Sequence, residues 1–404
     1  MESRLVIELI QQSPMIHFQH DEEGAALRAT DVKPRLDRFL IEEYKKENDG
    51  KNVPEDWVQP GQPEALKYRM RIKAPDEKIK PVDPPRGLYF GNMGEGTRKK
   101  LMISYKNSLC LEIGCFVKEL REYINKKTKL FFILNNFGTR QGKGFGGFIV
   151  SGSAAEAEML LSKYYGEKTI YKMNYPKEVT AENILLDVNE IYKVLKSGVN
   201  FNNVYIKSYL TKYFLKKGIE GEKRWMKTTE IAPVVVTKGK LASGGVKNPK
   251  YIRAILGTGE VQSWISDDGN HKPKKVLKKG KMVDEREEIK VASTEIARMP
   301  SPIVFKIIGN TLYIIPNEPQ KDIYGKSFMF TGRESDTLQV PDPSKDDFSI
   351  DELMAGFKDY FNKEKGKYSK VPRGNKGNPN AGKPLFFIYR VMLEEVNKTE
   401  EVKS

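Results

Sequence analysis

The chain is poor in cysteine and histidine, with 2 and 3 respectively among 404 residues. Cys110 and Cys115 sit together in the run CLEIGC. Two thiols are too few for a disulfide scaffold or a four-thiolate zinc site. Their scarcity points to a reducing compartment, and the cytoplasm is the expected location. His17, His20 and the two cysteines lack a recognised ligand spacing, so no metal site is expected. No run of about 18 apolar residues occurs, which excludes an evident transmembrane helix and gives no reason to expect a membrane partner. The apolar stretch from Val6 to Ile10 is short and broken by Glu8, unlike the core of a signal peptide. No short-period repeat is visible, and neither is a complete catalytic constellation or a cofactor fingerprint.

Basic residues are abundant. Lys and Arg number 69 against 54 Asp and Glu, a net charge of +15. Hydrophobic residues at 39% and aromatics at 10% are enough to build folded domains. At about 150 residues per domain, the length suggests two or three. Residues 204–281 carry 18 Lys/Arg against 6 Asp/Glu, so this one block holds most of the excess charge. Such a block is a candidate polyanion surface or, alternatively, a solvated basic insertion.

Periodicity supplies a coarse order of elements. Arg4 to Ile10 reads as a strand and His17 to Thr30 as a loop. Lys33 to Lys46 reads as a helix, with Pro34 in its first turn and Thr30 or Asp31 as the cap. Tyr68 to Lys73 alternates apolar and basic residues, as a half-exposed strand does. Leu101 to Tyr105 is expected as a strand, Leu109 to Asn125 as a helix and Phe148 to Val150 as a short strand. This βαββαβ order predicts a ferredoxin-like, RRM-like α/β (α+β) domain over residues 1–155. Residues 156–285 read as a helical and basic insertion, with helices over Asn183–Lys196 and Tyr205–Lys217. Strands are expected at Ile231–Thr237 and Tyr251–Leu256. Residues 286–404 read as part of a second, divergent ferredoxin-like domain. That part holds a hairpin about Gly309-Asn310, an acidic loop over Ser335–Asp347 and a helix from Ile350.

The run from Phe137 to Gly147 is the sharpest motif. Gly138, Gly142, Gly144, Gly146 and Gly147 fall within ten residues, with Arg140 and Lys143 among them. Glycines let a backbone approach a ligand closely, and exposed N–H groups then bind phosphate oxygens. Arg140 and Lys143 add charge-assisted bonds. No GK[ST] follows, so this is not a Walker loop, and the strand–glycine–helix order of a dinucleotide fingerprint is reversed. The bland alternative is a structural glycine turn.

On these residues the sequence resembles the CRISPR-associated RAMP superfamily. NNFGTRQGKGFGGF is similar to that family's glycine-rich loop, and SPMIHFQHDEEGAALRATDVKPRLDRFL is similar to its opening. Arg298 to Lys306 resembles an "R…SP…F+" motif of capping subunits in type III effector complexes of the Cmr kind. The resemblance implies that the loop and the start of the first helix face guide RNA. Lys33, Arg35, Arg140 and Lys143 are then the candidates for phosphate contact, beside Gly138, Gly142 and Gly144. In the basic block, cations interleave with aromatics, among them Lys223, Arg224 and Trp225. Tyr209 and Tyr213 lie four apart on one helix face, suited to stacking on unpaired bases or to core packing. Lys274 and Lys275 belong to a basic loop or hairpin.

The expected function is therefore to bind guide RNA, with the guide–target duplex as a further candidate ligand. The chain would act as a non-catalytic subunit beside other CRISPR-associated subunits, and no cofactor is expected. The enzyme alternative is a metal-independent RAMP endoribonuclease using His17 or His20, with Asp21 and Asp31 in the same region. A general RNA-binding protein is the third reading.

Overall fold

The computed structural model describes residues 3–16, 27–74, 102–201, 204–228, 246–265, 275–278, 281–284, 286–296, 298–369 and 391–396. His17, His20, Asp21, Lys274 and the Ile231–Thr237 expectation lie outside these described residues. By contact the chain divides into two compact units. One comprises residues 1–189, 304–315 and 384–404, the other residues 190–303 and 316–383.

The first unit holds two four-stranded sheets. The first is built from β1 (Arg4–Gln11), β2 (Arg69–Lys73), β3 (Leu109–Gly114) and β4 (Phe148–Val150). Their order across the sheet is β2-β3-β1-β4, all antiparallel. With helices α1 (Ala29–Glu47) after β1 and α2 (Lys118–Leu134) after β3, this is the ferredoxin-like arrangement. Ile7 and Leu9 of β1 and Leu109, Leu111 and Ile113 of β3 are buried on one face. Leu36, Phe39 and Leu40 of α1 and Leu120, Ile124 and Phe131 of α2 join them in one core. The alternation of strands and the three- and four-residue spacing of helices put those residues on the inner side.

Three expectations for this domain need correction. Leu109–Asn125 is not one helix: β3 occupies 109–114 and α2 begins at Lys118. Apolar residues at 111, 113 and 115 alternate with period two, but they also fall in register with the helical positions 120 and 124 that follow. Met102 and Ile103 form no full strand, and Ile103 makes only an isolated bridge to Met15. At α1, the capping position falls on Arg28 and makes no side-chain cap, so neither Thr30 nor Asp31 serves as expected.

The second sheet repeats the same order. β5 (Tyr171–Asn174), β6 (Ile303–Ile308), β7 (Thr311–Pro316) and β8 (Glu394–Glu395) are arranged β6-β7-β5-β8. Helix α3 (Ala181–Lys196) follows β5, and α4 (Ile350–Ser369), which belongs to the second unit, precedes β8 in the chain. The repeat begins at Tyr171, inside the segment 156–285 read as insertion. About a hundred residues separate α3 from β6.

The second unit has its own antiparallel sheet, in the order Val261–Ile265, Arg286–Ala292, Ser327–Thr331, Ser335–Gln339. Its strands come from both interruptions of the second motif. Ser335–Gln339 is thus a strand where an acidic loop was expected. Ile252–Leu256 is a 3-10 turn rather than a strand. All of its apolar side chains are buried, a run without the alternation of a half-exposed strand. Tyr209 and Tyr213 are 9% and 5% exposed. They pack among Phe214, Phe357 and Tyr360, with the Tyr213 hydroxyl donating to Glu352. Trp225 is buried against Phe330. These aromatics are core residues and offer no stacking surface. Among the described residues no helix is long and apolar enough to cross a membrane.

Candidate nucleic-acid interface

The glycine loop leaves α2 at Asn135 and enters β4 at Phe148, and two cations converge on its first residues. Arg35 of α1 donates from Nη1 to the Asn136 carbonyl at 2.8 Å and to Gln141 Oε1 at 2.9 Å. Its Nη2 donates to Asn135 Oδ1 at 2.7 Å, and the guanidinium lies 4.9 Å from the Phe137 ring centroid. Burial pushes the Arg35 pKa down, with Arg38 adding to the effect. Lys306 of β6 comes from the other side. Its Nζ donates to the carbonyls of Phe132, Asn135 and Phe148 at 2.8, 2.7 and 3.3 Å. A cation there satisfies carbonyls left over at the C-terminus of α2 and complements the helix dipole. Lys306 is fully buried, which drives its ammonium pKa well down, with Arg35 adding to it.

Asn136 completes the joint. Its Nδ2 donates to the carbonyls of Gln141 at 2.7 Å and Phe305 at 2.9 Å. The Phe305 N–H donates to the Gly142 carbonyl at 3.2 Å, and Lys143 forms a parallel bridge with Phe305. The loop is thus seated on β6 of the second sheet. Gly144 is buried with φ +85°, and an added Cβ would lie 3.3 Å from Leu185 Cδ2. A side chain there is strained by the conformation and would press on Leu185.

The loop's outer turn is different. Gln141 is exposed and Gly142 half-buried, and a Cβ added at Gly142 would meet nothing within 4 Å. The backbone N–H groups of Gln141 and Gly142 have no hydrogen-bond partner among the described residues. Arg140 flanks them with φ +58°, a left-handed conformation uncommon for a residue with a side chain. Its guanidinium lies 5.6 Å from the Phe145 ring, and burial pushes its pKa down to about 10. Lys143 is half-buried, with Nζ 5.5 Å from the Phe305 ring. Arg140 Nε and Lys143 Nζ are themselves buried, so the two N–H groups lie between two cations held toward the protein.

The remaining sequence candidates are dispersed. Lys33 Nζ is held by Asp37 Oδ2 at 2.6 Å and the Leu66 carbonyl at 3.2 Å, 4.2 Å from the Tyr68 ring. Gly138 lies at the inner start of the loop, where a Cβ would press on the Ile16 carbonyl. Lys223 and Arg224 belong to the short helix Glu222–Thr228, with Arg224 paired to Glu220 at 3.0 Å. Lys275 is exposed on the hairpin strand Lys275–Lys278. Sequence reasoning missed the joint-forming roles of Asn136 and Lys306. Both lie in quoted motifs, but a buried lysine reads like any other basic residue until its acceptors are known. Among the described residues no group of three or more His, Cys, Asp or Glu is placed to hold a metal.

Comparisons with known proteins agree along most of the chain. Residues 2–199 match the family model of the Cmr1 N-terminal domain, and residues 205–376 match that of the Cmr1 C-terminal domain. None of the curated proteins compared with the chain matches it. Among solved structures, the chain is similar to one in a cryo-EM structure of the Type III-B Cmr-beta bound to cognate target RNA and AMPPnP in the presence of ssDNA. That similarity has 12% identity and a TM-score of 0.38, and it covers 88% of this chain and 100% of the other.

Proposed function

The chain belongs to the Cmr1 family of CRISPR-associated RAMP subunits, and from that premise we propose that it binds guide RNA without cutting it. It does so within a type III interference complex. The observation that carries this reading is the outer turn of the glycine loop. The N–H groups of Gln141 and Gly142, without a partner among the described residues, lie in the chain between Arg140 and Lys143. This arrangement takes phosphate oxygens by backbone donors and nearby charge. It makes no contact that distinguishes bases, which suits a guide whose spacer sequence varies. Arg35 and Lys306 hold the loop from the protein side, and Lys33 is occupied by Asp37. Arg35 and Lys33 therefore shape the surface more than they contact the RNA. The further ligand of this reading is the guide–target duplex, and its partners are the other subunits of the complex.

Equilibrium binding of the purified chain to labelled RNAs of equal length and different sequence tests this. The expected result is similar affinity across sequences and a steep loss with salt. Absence of binding at low salt contradicts it.

A further inference from the structure

The first sheet has one face free of its own helices. Outward residues there are Arg4, Val6, Glu8 and Ile10 on β1, Cys110, Glu112 and Gly114 on β3, and Arg69, Arg71 and Lys73 on β2. None is aromatic, so this face lacks the stacking rings with which an RRM sheet holds bases. One ring stands just beyond its end. Phe116, two residues past Gly114, is 92% exposed. Cys115 between them is buried, and its N–H donates to the Ser3 carbonyl at 2.8 Å. The in–out alternation therefore continues past the strand and leaves Phe116 on the outer side.

Cations surround it. Gly114 is paired with Arg4 on one side and Arg69 on the other, which puts two arginines across a glycine. A Cβ at Gly114 would meet nothing within 4 Å, so the floor between them is open. Arg71 and Lys73 continue the row along β2 at a spacing of about 6.7 Å, twice the rise per strand residue. Of the two outward carboxylates, Glu112 is held by Arg4 and Lys73 and Glu8 by Ser108. Arg69 and Arg71 make no ion pair among the described residues. The pairing of one bare aromatic ring with unspent guanidinium groups fits a base with its flanking phosphates.

We propose that Phe116, with Arg69 beside Gly114, is a second RNA contact that stacks one unpaired nucleotide. It rests on the RNA-binding reading above and adds the class of ligand: a single-stranded segment. The site lies at the N-terminus of α2 and the glycine loop at its C-terminus. Seventeen helical residues separate them, about 25 Å at the usual rise. The two sites therefore hold different parts of one RNA.

The test is equilibrium binding of the full-length protein to an oligouridine strand and to an RNA duplex of the same length. Phe116→Ala and Phe116→Trp are compared with wild type, and Phe116 is so exposed that neither change disturbs packing. The expected result is a roughly 5- to 150-fold loss for Phe116→Ala on the single strand, from the stacking of one base. The duplex affinity stays within about twofold, and Phe116→Trp retains single-strand binding. Arg69→Ala weakens single-strand binding and lowers its salt slope. Equal single-strand affinity of Phe116→Ala and wild type overturns this inference alone. Wild type that binds neither RNA overturns the reading beneath it. Loss of co-assembly with partner subunits at unchanged RNA affinity assigns Phe116 to a protein contact and overturns it as well.

Discussion

Lys306 Nζ donates to the Asn135 carbonyl at 2.7 Å, and this bond pins the entry of the glycine loop to a strand of the second sheet. The same ammonium reaches the carbonyls of Phe132 and Phe148, so all three of its protons are used. Replacing it by Met leaves buried carbonyls without donors. Lys306→Met is expected to lose about 1–3 kcal/mol of stability, the cost of unsatisfied buried acceptors. Denaturant midpoints at an unchanged slope measure it. A midpoint equal to that of wild type removes Lys306 from this role.

Gly142 and Gly144, two residues apart, separate binding from stability. Gly142→Val adds a side chain into open space beside the unpartnered N–H groups of the turn, so RNA affinity falls while the melting temperature holds. Gly144→Val forces a left-handed residue against Leu185 and costs about 1–3 kcal/mol of stability. Thermal melting with filter binding distinguishes them. A Gly142→Val protein with native melting and native affinity takes the outer turn out of the interface.

If phosphates dominate, the logarithm of affinity falls by about 0.7 per contacted phosphate for each unit of log salt on a single strand. Neutralising Lys272, Lys274, Lys275, Lys278 and Lys279 together flattens that slope if the basic hairpin touches RNA. A slope that stays fixed places the block elsewhere.

Lys196 provides a pH dependence. It is half-buried beside Arg253, Glu222 and Arg298, donating to the carbonyls of Leu256 and Gly257. Burial pulls its pKa from 10.5 down to about 7. Between those values the unfolded chain binds the extra proton, so this residue makes stability rise as pH climbs from about 7 toward 10.5. The difference in unfolding free energy between wild type and Lys196→Met across that window isolates it. A pH-independent difference contradicts the lowered pKa of this ammonium.

His17→Ala and His20→Ala are expected to leave the activity of the assembled complex intact. Purified protein in EDTA leaves repeat-containing RNA uncut. Site-specific cleavage that either substitution abolishes makes the chain a processing endoribonuclease instead.

The first domain was legible because its strands and helices follow one another closely and each carries its own period. Even there Leu109 to Gly114 read as helix, since its apolar positions also suit the helical stripe of α2. The second domain was obscured by distance: β5 and α3 are separated from β6 by a sheet-bearing insertion, so no local window holds the repeat. The glycine loop was legible as a motif, but not its division of labour. Gly142 faces out and Gly144 in because Phe305 pairs with the loop from some 160 residues away, and no local pattern encodes that pairing. Tyr209 and Tyr213 misled for the opposite reason, since a helix face of tyrosines looks the same whether it meets RNA or Phe357.

Ultraviolet cross-linking of guide RNA in the assembled complex, followed by peptide mass spectrometry, tests the central claim most directly. The account predicts cross-linked peptides that contain the 138–143 turn of this chain. A complex whose guide RNA cross-links to its other subunits, with none to this one, contradicts it.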